Sequence, residues 1–93
     1  MNNTDTEKCI KRNIQDYISY TNKLNNLHTK PHLKSLKGMF IGIRNIAGNM
    51  LINFAKSHED LYFKVIEDMN ISDALENAKQ INDKIQKKGN KYV

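Results

Sequence analysis

The chain has 93 residues, with 15 Lys or Arg against 10 Asp or Glu and a formal net charge of +5. That length makes one domain, and a domain of this size buries only about 60–65% of the surface its unfolded chain exposes, so self-association is a common remedy. A single cysteine, Cys9, excludes an internal disulfide, and the least charged stretch, Gly38 to Ala55, carries Arg44, Asn45, Asn49 and Asn53, too polar for a membrane-spanning helix.

The start, Met1 to Glu7, is polar and acidic and lacks the basic head and apolar core of a signal peptide. With the lone cysteine, this gives the expectation of a cytoplasmic protein. A first helix is predicted over about 5–27. Thr4 and Glu7 have capping-box spacing. Ile10, Ile14, Tyr17, Thr21 and Leu24 follow at intervals of 4, 3, 4 and 3, which is one helical face, and Ile18 widens it. Pro31 disfavours helix in the residue before it and can open the next helix, where its missing N–H costs nothing.

A second helix is predicted over about 32–55, with Leu33, Leu36, Phe40, Ile43, Ala47, Met50 and Phe54 as its apolar face and Met39, Ile46 and Leu51 flanking it. The competing reading is a hairpin, with Phe40–Ile43 and Met50–Ile52 as strands joined across Ala47–Asn49. The third helix is predicted over about 58–69, with Ser57 as N-cap, Glu59 and Asp60 in its first turn, and Leu61, Tyr62, Val65, Ile66 and Met69 as its apolar face. Asn70 can end it. The fourth spans about 73–88 behind Ser72, with Ile71, Ala74, Ala78, Ile81 and Ile85 in register, Gly89 just past its end and a tail from Asn90. The fold class is therefore all-α, a single domain forming a small antiparallel bundle of about four helices.

Charge is divided along the chain. From Lys8 to Lys56 there are nine Lys or Arg against one acid, Asp16, whereas Glu59 to Glu76 holds six acids against one base, Lys64. The division fits an anionic partner, or complementarity between neighbouring helices or between copies.

The second helix has an unusual back. Opposite its apolar face, where water calls for charge, stand Lys34, Gly38, Ile41, Gly42, Asn45, Gly48, Asn49 and Ile52. Three glycines there cost about 1 kcal/mol each relative to alanine. Gly38, Gly42, Asn45 and Asn49 allow close backbone approach, so with Ile41 and Ile52 they form a candidate interface. The helix could be central and covered on both faces by its own bundle, or the face could meet a second copy or a foreign protein.

No motif carries catalytic chemistry. His28 and His32 have ligand spacing, but Pro31 breaks the turn between them and no Cys, Asp or Glu completes a metal site. His58-Glu59-Asp60 is explained by a helix start. Gly38 to Gly42 lacks the Lys-Ser/Thr of a phosphate loop. No cofactor is implied, and the chain is not expected to be an enzyme. Nucleic-acid binding is the rival reading. Lys30, Lys34, Lys37 and Arg44 fall near one side of the second helix, and Lys8, Lys11 and Arg12 cluster in the first. Arginine is scarce, and no zinc-finger spacing or stacking platform is present. In size, charge and helix count alone the chain is similar to small helical proteins that act stoichiometrically, such as bacteriocin immunity proteins and phage or plasmid regulators. The expectation is a regulator, inhibitor or immunity-type protein that binds a protein partner and self-associates.

Overall fold

The computed structural model describes residues 3–27 and 34–90, with side chains described from 4 to 27 and from 34 to 84. The described residues form four helices and no strand: α1 (Asn3–Leu27), α2 (Lys34–Ser57), α3 (Glu59–Met69) and α4 (Ser72–Asn90). The all-α bundle read from periodicity is the fold, and the hairpin alternative for 40–52 is excluded, because that segment lies inside one continuous helix. No described helix is long and apolar enough to cross a membrane.

The α1 stripe is buried as its spacing dictates: Ile10, Ile14, Tyr17, Thr21 and Leu24 all lie in the interior. The other three helices pack on this face. The Tyr20 and Phe40 rings meet at 5.3 Å, and Tyr17 meets Gly48, so α2 runs antiparallel to α1. Val65 and Tyr62 of α3 and Leu75 and Ala78 of α4 complete the core with Ala47 and Leu51 of α2. Neither α2 nor α3 packs closely on α4, which is held chiefly by α1.

Several sequence expectations are corrected locally. On α2, Leu51 is buried and Met50 is exposed, the reverse of their expected places. On α4, Leu75 is buried while Ala74 faces outward. Ser57 is the last residue of α2, its hydroxyl donating to the Asn53 carbonyl at 2.8 Å, so His58 occupies the cap position of α3 without a side-chain capping bond. Helix α4 continues through Gly89 to Asn90. Asn70 does end α3, in a left-handed conformation (φ 50, ψ 46). Its N–H donates to the Glu67 carbonyl at 3.0 Å and that of Ile71 to the Ile66 carbonyl at 3.3 Å, the paired bonds of a Schellman ending. His28, Lys30, Pro31, His32 and Leu33 lie outside the described residues.

Candidate functional site

Two features of α2 stand out, one on each of its faces. On the outer face, Gly38, Ile41, Gly42, Asn45, Asn49 and Ile52 are all exposed. A Cβ built on Gly38 or Gly42 would meet nothing within 4 Å. The bundle therefore does not cover both sides of α2. Gly48 is different: it sits at the edge of the packed face, where the Tyr17 ring comes within 3.3 Å of such a Cβ. Around the stripe, Met39, Ile46 (66% exposed) and Met50 also face outward. Between Gly38 and Ala55 the one charged residue is Arg44, and it is buried. The outer face of α2 thus runs about five turns with no exposed charge, whereas a solvated helix face normally carries many.

The inner face holds Arg44, only 4% exposed. Its position follows from the wheel: Phe40, Arg44, Ala47 and Leu51 are spaced 4, 3 and 4 and share one track facing the core. The sequence reading placed Arg44 with Lys34 and Lys37 as a surface anion contact, but the structure separates it from them. Lys34 is exposed and Lys37 half-buried. The guanidinium donates through Nε and Nη2 to a single neutral acceptor, Asn45 Oδ1, at 3.3 and 2.9 Å. Nη1 is buried without a partner. No described carboxylate faces the group, and residues 1–3, 28–33 and 85–93 contain neither Asp nor Glu. Burial pushes its pKa down, opposed by the neighbouring Tyr17. A buried charge without a counter-charge costs several kcal/mol.

Arg44 belongs to a polar cluster to which each helix contributes one member. Tyr17 of α1 lies beside Arg44, Tyr62 of α3 beside Tyr17, and the Asn82 side chain of α4 close to the Tyr17 hydroxyl. Burial raises the pKa of both tyrosines; for Tyr17 the Asp83 charge adds to that, while Arg44 and Asn82 oppose it. Asn82 Oδ1 is buried and unpartnered. Next to this cluster opens a cavity of about 630 Å³, walled by Leu51, Ile52, Ala55 and Phe63 and bordered by Lys79, with Asn45 and Asn49 at its α2 edge. It occupies the gap between α2 and α4. Phe63, 56% exposed, and Ile52, 55% exposed, flank its opening.

Sequence reasoning singled out Asn45, Asn49 and Ile52 as part of an interface face, did not single out Tyr17, Tyr62, Lys79 and Asn82, and put Arg44 at the surface, whereas it is buried. The signal for Arg44 was its place on the 40–44–47–51 track. For Asn82 it was the track Ile71, Leu75, Ala78, Asn82, again 4, 3 and 4.

Lys8, Lys11 and Arg12 of α1 are exposed. Lys64, the lone base of the acidic stretch, pairs with Glu7, just ahead of the basic stretch, at 3.9 Å. No group of three or more His, Cys, Asp or Glu suited to a metal occurs among the described residues. Comparison with known protein families, with curated proteins and with solved structures finds no match for this chain.

Proposed function

We propose that this protein acts by stoichiometric protein binding through the outer face of α2, and that a second copy of the chain is its first occupant. One observation carries the reading: between the exposed Lys34 and Lys56 at its ends, the outer face of α2 carries no charged side chain, and Met39, Ile46 and Ile52 stand open to solvent on it. Contiguous exposed apolar surface marks an interface more often than a solvated surface. Gly38 and Gly42 let a facing backbone approach, and exposed Asn45 and Asn49 supply amides that hydrogen-bond across. Isologous pairing places the same patch of two copies together. A 93-residue domain gains stability from the added burial. Regulation or inhibition of another protein follows if the same face exchanges its copy for a different partner.

Sedimentation equilibrium tests this directly. Wild type is expected to show reversible dimerisation over the micromolar range. Ile46→Lys and Gly42→Leu should sediment as monomers with unchanged helical circular dichroism. A wild-type chain monomeric at about 1 mM, or variants that associate as it does, would sink the proposal.

A second reading, sequence-nonspecific nucleic-acid binding, keeps the support of the exposed Lys8, Lys11, Arg12 and Lys34. It loses Arg44 to the interior. Affinity for duplex DNA should then fall steeply with salt and weaken on charge reversal at Lys8 and Lys11. Absence of binding in about 50 mM salt removes this reading.

A further inference from the structure

We propose that the cavity between α2 and α4 is a binding site for a small organic carboxylate with an apolar body. The polar end of the site is made. Arg44 lines the cavity with two of its donors on one neutral oxygen, while Nη1 is enclosed by protein and has no partner. A guanidinium offers five N–H donors in a fork that matches a carboxylate. No residue of the chain supplies that carboxylate from a described position, and the other segments have no acidic side chain. The Tyr17 hydroxyl lies beside it, with the Asn82 side chain close by.

Apolar side chains make much of the remainder, with Asn45 and Asn49 at its α2 edge. Leu51, Ile52, Ala55 and Phe63 line it, and its volume of about 630 Å³ lies in the range of small-molecule sites. Lys79 borders it and is exposed. A second cation at the opening attracts an anion without burying another charge. A phosphate, more highly charged, calls for several cations or a cluster of backbone N–H groups. One buried arginine in an aromatic and aliphatic pocket suits a single negative charge on a hydrophobic frame.

This assignment shares Asn45, Asn49 and Ile52 with the face proposed for self-association, so the titration is repeated on Ile46→Lys, whose substitution lies away from the cavity lining, and its readout, ligand-dependent shifts, is different. The full chain, labelled with ¹⁵N, is titrated with indole-3-propionate, its neutral amide and inorganic phosphate. A ligand of about 14 heavy atoms with ordinary efficiency binds near 1 mM. Saturable shifts are expected for backbone amides at 44–55 and 79–82, with the neutral amide at least about tenfold weaker and phosphate weaker still. Lys79→Gln, at an exposed position that does not endanger the fold, should weaken binding about threefold or more, and Arg44→Gln should abolish it. Acid and amide binding equally, shifts mapping elsewhere, phosphate alone binding as well as the aromatic acid, or no saturation by about 5 mM would each overturn the assignment.

Discussion

Tyr17 closes onto Gly48: a Cβ built on that glycine would sit 3.3 Å from Tyr17 Cε2 and 3.4 Å from Cδ2. Gly38 and Gly42, on the same helix, face open space. The three glycines therefore respond differently to alanine. In the monomer, Gly38→Ala and Gly42→Ala should each stabilise by up to about 1 kcal/mol from helix propensity, which raises the midpoint of a domain this size by about 4–8 °C. Gly48→Ala gains the same propensity but forces Tyr17 to shift within the core, so its midpoint should stay at or below wild type. Thermal melts at low protein concentration measure the order. Gly42→Ala melting below wild type only at high concentration would place the outer face inside an assembly.

Arg44 sets a second expectation. It occupies a core track between Phe40, Ala47 and Leu51, with its charge unmatched by any described carboxylate. Methionine keeps a long flexible stem and removes the desolvated charge. Arg44→Met should therefore hold or raise the denaturation midpoint while eliminating anion affinity. Stability and binding would move in opposite directions, which identifies a residue retained for ligand rather than for packing. An unfolding free energy lowered by more than about 2 kcal/mol would instead make Arg44 structural, as a broken buried network does.

Tyr17 and Tyr62 carry a pH dependence. Burial raises both pKa values above 10 in the folded chain, whereas the unfolded chain ionises near 10. The folded state holds more protons above pH 10, so stability is full below that pH and falls as pH rises through 10 toward the folded values. Urea denaturation at pH 8 and pH 10.5 should show the loss, and Tyr62→Phe should make it shallower. Absorbance near 295 nm should show these phenols ionising late in the native protein and near pH 10 in urea.

The fold was legible in the sequence because α1 writes its buried stripe without ambiguity. Ile10, Ile14, Tyr17, Thr21 and Leu24 admit one helical face, and all are buried. The α2 stripe admits two readings. Met50 and Leu51 are both apolar and adjacent, and so are Phe40 and Ile41. A helix turns about 100° per residue, so periodicity fixes the helix but not the centre of its buried arc. Choosing 40–43–47–50 over 40–44–47–51 exposed Leu51 and sent Arg44 to the surface. The type of residue reinforced that choice, because arginine is almost never fully buried. The α4 stripe repeated the problem, with Ala74 chosen over Leu75, and Asn82 dropped out with it. The cavity could not be read at all, since it depends on how far α2 and α4 stand apart across α1.

That separation is set partly by the corner between α3 and α4, where Asn70 adopts φ 50. Left-handed backbone costs an ordinary residue about 1–2 kcal/mol, and asparagine tolerates it better than most. Ile71 and Ile66 pack against the core on either side of the corner, the apolar contact that accompanies a Schellman ending. Asn70→Gly should be neutral or stabilising, because glycine meets no Cβ penalty there. Asn70→Val should destabilise by about 1–2 kcal/mol, since a β-branched residue resists positive φ. The corner also fixes the direction in which α4 leaves, and Lys79 and Asn82 reach the cavity from that helix. If Asn70→Val folds, its affinity for indole-3-propionate should fall more than that of a core variant of equal stability, such as Ala78→Gly. Equal losses in the two variants would show that the corner supports the bundle as a whole and does not aim α4 at the cavity.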